Sequence, residues 1–386
     1  MRKKIITIGV IKCMDVWVRK GILRGINIIF LYSFFVLTII LFLYSYESQL
    51  FTLRLLFLEV AALVGFAACI IKRRCFFPIQ VATFILINWL LCALLQEQLN
   101  YEWSNLLYTL SYVGLASLLI ISKDNLTVTA GLIIWGFLTI GIKLLQGVPV
   151  QNILLQNSEN YISVLLLFLI IPFYLARYRR GKSIPLIPAI IYFLICVLVY
   201  GRGGILTSGF LLIALCLYKL HTIKNKWIKR SIILLILCCG GIILISIVEQ
   251  EFLEKWFSKF YTEGVNDSAR LEIWTQFLQN NKESFDTVLV GSNIFRVRLD
   301  GNLHNFLLQA YASFGLIGAL GIIVEIIKAL WRGIKQREIL WVILFLTLLI
   351  RAFTDRVFFQ GYCEVFLYYF IMYWKLENKN IGRREK

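Results

Sequence analysis

Long apolar stretches recur along the whole chain and are separated by short polar or charged segments. Each stretch is close to the roughly 20 residues that an α-helix needs to cross the hydrocarbon of a bilayer. Backbone groups in lipid must be hydrogen-bonded within the element, and no segment alternates as a barrel strand does, so the pattern predicts spanning helices. We predict about twelve of them, over residues 25–45, 53–71, 77–96, 105–122, 126–146, 161–177, 184–200, 204–219, 231–248, 305–327, 339–354 and 357–374.

One polar segment is much longer than the others. Residues 249–304 are predicted to form a large extracytoplasmic loop with two short amphipathic helices. In the first, EFLEKWFSKFYTEG, aromatic and apolar residues recur at i, i+3 and i+4 and so form one face of the helix. Such a face suits a helix that lies at the membrane surface. The second, SARLEIWTQFLQNN, follows the capping residues 266–268 and places Trp274 and Phe277 on one side. Arg270 falls in its first turn, where the helix dipole disfavours a cation, so it requires an anionic partner or a functional reason.

Composition agrees with a polytopic all-α membrane protein. The 386 residues are 59% hydrophobic and only 16% charged, whereas soluble domains are nearer one quarter charged. We find no repeat and no linker, so residues 1–386 are predicted to form a single transmembrane domain. The basic start of the chain precedes a short apolar stretch with no small-residue cleavage site, and we interpret it as a cytoplasmic interfacial segment.

The net charge of +18 is distributed by topology. If the N-terminus lies inside, about 29 of the 40 Lys and Arg residues fall in cytoplasmic segments, as the positive-inside rule requires. This bias places both termini in the cytoplasm and the protein in the cytoplasmic membrane. It also argues against a nucleic-acid-binding surface.

Metal and transport functions find little support in the sequence. The nine cysteines lie in or beside predicted spans without metal-ligand spacing to a histidine, so we predict no metal site and no cofactor. The five prolines are not arranged as matched interruptions of two halves, the pattern of many transporters. Glu59 alone lies deep in a predicted span, and it is either paired or functional.

Three basic residues on the predicted outer face are the strongest candidates for chemistry. Arg202 lies in the turn YGRGG between two spans, where the flanking glycines allow close approach of a bulky anion or simply a tight hairpin. Arg270 and Arg202 together would suit a diphosphate. His304 heads the span LHNFLLQAYASFGLIG and is the only histidine predicted on the outer side. Its imidazole can accept a proton from a hydroxyl group. We predict catalytic roles for all three; the alternative for each arginine is a solvated interfacial charge.

Further residues on this side are predicted to contact substrate. They are Gly203, Asn305, Trp274, Asp300, Arg351 and Arg356. Arg296 and Arg298 are additional outer-side cations. For the four additional arginines of this side a solvated charge is the alternative, and for Asp300 it is a solvated loop position.

Four motifs resemble, in order, those of the O-antigen ligase and Wzy-type polysaccharide polymerase superfamily. They are GRGGILTSGF (201–210), ARLEIW (269–274), VLVGSN (288–293) and LHNFLLQAYASFGLIG (303–318). The resemblance implies a GT-C-like, metal-independent, inverting glycosyltransferase, in which Arg202, Arg270 and His304 act on an undecaprenyl-diphosphate-linked glycan. The chain departs from the pattern at Gly201, where serine is common, and at Ser313, where an acidic residue is frequent.

The resemblance does not identify the molecule that accepts the glycan. A polymerase extends the repeat on its polyprenyl carrier, whereas a ligase moves the finished chain to lipid A core or another acceptor. We prefer the polymerase, because no motif for a protein acceptor is visible, and a lipid-glycan transporter is the third alternative. The expected partners are the glycan donor, a glycan acceptor and the bilayer, with a chain-length regulator or flippase as further candidates, and the active site is expected on the extracytoplasmic side.

Overall fold

Every regular element in the described part of the chain is a helix. The computed structural model describes residues 25, 28–45, 47–71, 76–95, 103–122, 125–155, 158–199, 201–222, 227, 230, 233–234, 268–282, 284–290, 303–355, 357–359 and 361–377. Of Arg202 and Arg270 it describes the backbone alone.

Thirteen α-helices are described, and all except the ninth and tenth follow the predicted apolar stretches. They are α1 (Ile28–Leu43), α2 (Ser48–Ile71), α3 (Phe76–Leu95), α4 (Trp103–Ile121), α5 (Leu126–Leu145), α6 (Asn160–Arg179), α7 (Ile187–Leu198), α8 (Arg202–Thr222), α9 (Ser268–Asn280), α10 (Phe285–Val290), α11 (Phe306–Lys335), α12 (Ile339–Thr354) and α13 (Glu364–Glu377). The predicted span 231–248 and the first amphipathic helix lie almost wholly outside the described residues.

Six of these helices are long and apolar enough to cross a bilayer. They are α2, α3, α5, α6, α8 over Gly203–Leu220, and α11. Shorter apolar helices accompany them, namely α1, α4 over Leu106–Ile121, α7 and α12. Helices of this length and composition indicate a membrane protein.

The two largest boundary differences from the sequence prediction each have a physical reason. The predicted last span starts at residue 357, but α13 begins at Glu364, because Val357, Phe358 and Phe359 are buried in irregular structure. Hydropathy does not separate a buried apolar loop from a helix. The span predicted to end at residue 327 continues as α11 to Lys335, where basic residues extend the helix past the apolar stretch.

Hydrogen bonds from two basic side chains to carbonyl groups at helix ends identify the two ends of the bundle. At the end that we call the upper end, Lys143 Nζ donates to the carbonyls of Leu43 and Ile153, at 2.6 and 2.9 Å. At the lower end, Arg179 donates from its two terminal nitrogens to the carbonyls of Leu119 and Ile120, at 3.0 and 2.7 Å. These side chains satisfy carbonyls that a helix C-terminus leaves free. They also show that α5 and α6 run in opposite directions.

The α6 helix occupies the centre of the bundle. All residues from 162 to 176 are buried, and a helix that is apolar on every side belongs in an interior. Phe168 stacks on Phe35 of α1 with ring centroids 4.5 Å apart. The upper end of this helix carries Asn160 and Ser163 into the candidate site.

Candidate active site at the upper end of the bundle

His304 is held immediately before the N-terminus of α11. The Asn305 side chain caps this helix by accepting from the backbone N–H groups of Leu307 and Leu308, at 2.9 and 3.3 Å. His304 itself has a φ of 48°, a left-handed conformation that is uncommon outside glycine and in which histidine is enriched. The cap thus sets the position of the imidazole, whose side chain is 30% exposed.

A carboxylate that the sequence analysis did not single out faces this histidine. The Nδ1 atom of His304 lies 3.4 Å from Oδ1 of Asp355, whose side chain is only 4% exposed. Asp355 follows directly after α12 as its C-cap residue. A carboxylate on the Nδ1 side orients the ring, which leaves Nε2 for chemistry.

Arg351 holds that carboxylate in place. Its guanidinium is 1% exposed, and Nη2 donates to Oδ2 of Asp355 at 3.2 Å. The same nitrogen donates to the carbonyl of Asn160 at 2.9 Å, while Nε donates to Ser163 Oγ at 3.0 Å and Nη1 to Thr354 Oγ1 at 2.9 Å. Protein acceptors therefore use most of the five N–H donors of the side chain. The sequence predicted a substrate contact for Arg351, but this geometry favours a positioning role.

The first turn of α8 packs against the same group. A Cβ on Gly203 would lie 2.7 Å from Thr354 Oγ1 and 3.2 Å from Arg351 Nη1. A Cβ on Gly204 would lie 2.7 Å from Cβ of Ser163. Distances below about 3 Å exclude a side chain, so both glycines are required by the approach of α12 and α6. The backbone of Arg202, the first residue of α8, lies at this contact.

Helix α9 packs on the loop that carries the histidine. Nε1 of Trp274 donates to the carbonyl of Leu303 at 2.7 Å, and the Phe277 ring meets the Tyr311 ring edge to face at 5.5 Å. The backbone of Arg270 lies one turn before Trp274 on this helix. The contact thus brings the segment carrying Arg270 to the loop that carries His304.

A kink in α11 shapes the same region. Gly315 has φ 68° and ψ 179° inside the helix, a conformation that is essentially confined to glycine. A Cβ there would lie 2.6 Å from the carbonyl oxygen of Leu289 in α10. The kink separates the segment 306–314, next to His304, from the long remainder of the helix.

The structure therefore brings together several predicted site residues and adds others. His304, Asn305, Gly203, Trp274 and Arg351 all belong to the group at the upper end. Asp300 and Arg356, like Arg296 and Arg298, lie outside the described residues.

Sequence reasoning missed Asp355, Asn160, Ser163 and Thr354. The spacing of Arg351 and Asp355, four residues apart at the end of an apolar stretch, is the signal that could have indicated the acidic residue. The other three are ordinary polar residues at helix ends, and nothing in their sequence context distinguishes them.

Comparison with known proteins adds no relative. No protein-family model matches the chain, and no curated protein matches it significantly. A functional assignment therefore depends on the sequence motifs and on the geometry of this site.

Proposed function

We propose that the protein is a membrane glycosyltransferase that polymerises polyprenyl-diphosphate-linked oligosaccharides on the outer face of the cytoplasmic membrane. One observation carries the proposal. His304, backed by Asp355 and Arg351, lies at the same end of a helical membrane bundle as the first turn of α8, which begins at Arg202, and the helix that carries Arg270. A general base next to anion-binding groups is the equipment that transfer from a diphosphate-linked sugar requires.

The roles follow from the charges that develop in the reaction. A hydroxyl oxygen of the acceptor attacks the anomeric carbon of the donor, and the bond from that carbon to the diphosphate oxygen breaks. His304 accepts the hydroxyl proton at Nε2, and Asp355 stabilises the imidazolium that results. Arg202 and Arg270 bind the lipid diphosphate as it leaves with its added negative charge. A single displacement inverts the configuration at the anomeric carbon.

The membrane arrangement of the proposal has its own support. The lower end of the described bundle is rich in cations, namely Arg177, Arg179, Arg180, Lys182, Lys219, Arg332, Lys335 and Arg337. By the positive-inside rule this end faces the cytoplasm, so that the site at the upper end faces outward. We propose the arrangement of about twelve spans in a GT-C-like fold, with both termini inside.

Reconstitution provides the test. The purified protein in liposomes receives a polyprenyl-diphosphate oligosaccharide, with EDTA present to remove divalent metal, and products are separated by length. We expect a ladder of repeats, and we expect His304→Ala to lower the initial rate by about 10²–10⁴-fold. His221→Ala, a change of the other histidine near the opposite end of α8, serves as the matched control and is expected to be neutral.

The other outcomes are equally informative. Transfer to an added lipid A core or other acceptor in place of a ladder would indicate a ligase. Translocation of the glycan without any new glycosidic bond would indicate a transporter. A full ladder from the His304→Ala variant would contradict the assigned site.

A further inference from the structure

Helix α2 presents a regular stripe of side chains to the outside of the bundle. The exposed positions Thr52, Leu56, Glu59, Leu63 and Ile70 are separated by four, three, four and seven residues. This is the spacing of the contact seam between two parallel helices of a left-handed pair, which is also the common packing mode of membrane helices. The leucines of the stripe are 53% and 69% exposed, so no other described element of the chain covers it.

Glu59 stands at the middle of this stripe and at the middle of the membrane. It is the twelfth residue of a 24-residue helix, which places it about 17 Å from either end at 1.5 Å per residue. In the part of the chain that the structure describes, no hydrogen bond or ion pair reaches its carboxyl group. An ionisable group facing hydrocarbon at this depth is costly and as a rule has a partner.

The packing of α2 prevents Glu59 from turning inward. On the opposite side of the helix, a Cβ on Gly65 would lie 2.0 Å from the carbonyl oxygen of Gly114 in α4. Ala61 and Ala62 are buried in the same contact. Because these backbones touch, the rotation of α2 about its axis is set, and the Glu59 carboxyl group points away from every described element of the chain.

We propose that the α2 stripe is the interface with a second copy of this chain. Insertion gives every copy the same orientation, so two α2 helices related by a twofold axis along the membrane normal are parallel and hold Glu59 at the same depth. One carboxylic acid O–H then donates to an oxygen of the other carboxyl group. Leu56 and Leu63 flank this pair and pack against their counterparts, so the stripe satisfies itself without any other polypeptide.

Cysteine cross-linking in native membranes tests this interface. Leu56→Cys and Leu63→Cys are expected to form a disulfide-linked dimer on mild oxidation, at least tenfold more than Leu138→Cys. Leu138 is the matched control, because it is 59% exposed near the middle of α5 on an apolar face without an ionisable group. Cys69, Cys92, Cys196, Cys216 and Cys363 are buried, and the parent protein treated in parallel reports cross-links from the remaining cysteines.

Substitution of Glu59 identifies the interaction that holds the pair. Glu59→Leu, added to Leu56→Cys, is expected to lower dimer formation about tenfold, in line with the strength of hydrogen bonds between membrane helices. Glu59→Gln is expected to retain it, because an amide both donates and accepts. A second measurement is the co-purification of two differently tagged copies that are expressed together. We expect Glu59→Gln to retain this co-purification and Glu59→Leu to lower it.

Equal cross-linking at Leu56 and Leu138 would overturn the proposal, as would an undiminished dimer in Glu59→Leu. Loss of self-association together with a specific requirement for Glu59 in co-purification of a different polypeptide would likewise overturn it. None of these readouts depends on glycosyl transfer, so the interface and the proposed function succeed or fail separately.

Discussion

At the scale of single residues, the site depends on Asp355 contacting both His304 and Arg351. One oxygen of its carboxylate faces the imidazole and the other accepts from the guanidinium. A buried ion pair contributes little net stability, but removal of one partner leaves the other charge uncompensated. Asp355 therefore links the chemistry of the histidine to the packing of α12 and α6.

Asp355→Asn is expected to lower the rate of glycosyl transfer by about 10²-fold or more, because a neutral amide stabilises an imidazolium poorly. The variant is also expected to unfold at a lower temperature, since Arg351 loses its counter-charge. Initial rates in liposomes and thermal unfolding in detergent measure the two effects.

Asp286→Asn is the control for this change, because Asp286 is an exposed acidic residue of α10 on the same side of the protein. It is expected to be neutral in both measurements. If Asp355→Asn kept the parental rate, Asp355 would have a structural role only.

At the scale of elements, glycine contacts decide how closely the helices pack. The sequence showed that glycines are present in several spans, and small residues are common where membrane helices meet. It did not show which glycines lie at contacts. A Cβ on Gly114 would lie 2.6 Å from Cα of Ala62, whereas nothing lies within 4 Å of a Cβ on Gly131.

Gly114→Ala is therefore expected to destabilise the protein by about 1–3 kcal/mol, the usual cost of overpacking a core. Gly131→Ala is expected to be neutral or slightly stabilising, because alanine favours a helix. Thermal unfolding of the two variants in the same detergent gives the comparison. An equal response of both would contradict the close approach of α2 and α4.

Element boundaries show the same limit of sequence reasoning. Apolar stretches predicted the order of the long described helices, because the need to satisfy backbone groups in lipid leaves few alternatives. The start of α13 at Glu364 and the kink at Gly315 were not predicted. Both arise from packing between segments that are distant in sequence.

At the scale of the whole molecule, the proposed orientation follows from the charges at the two ends of the bundle. Gln151 is exposed in the loop that follows α5 at the upper end, and Lys182 is exposed after α6 at the lower end. In the proposed topology, which follows the positive-inside rule, the first lies outside and the second in the cytoplasm.

A membrane-impermeant maleimide tests this orientation in a background without other reactive cysteines. Gln151→Cys is expected to react in intact cells, and Lys182→Cys only after the membrane is permeabilised. The reverse order would place the His304 site in the cytoplasm and exclude the proposed reaction of an outward-facing lipid-linked donor.

The sequence by itself determined that the chain is helical and hydrophobic enough for a bilayer, and it singled out His304 and Arg351 as ionisable groups at one set of helix ends. Such properties follow from local composition and periodicity. Only the tertiary structure decided that Asp355 lies between them, that Gly203 is packed against Thr354, and that Glu59 faces outward. Those facts depend on the rotation and approach of helices far apart in sequence, which packing alone settles.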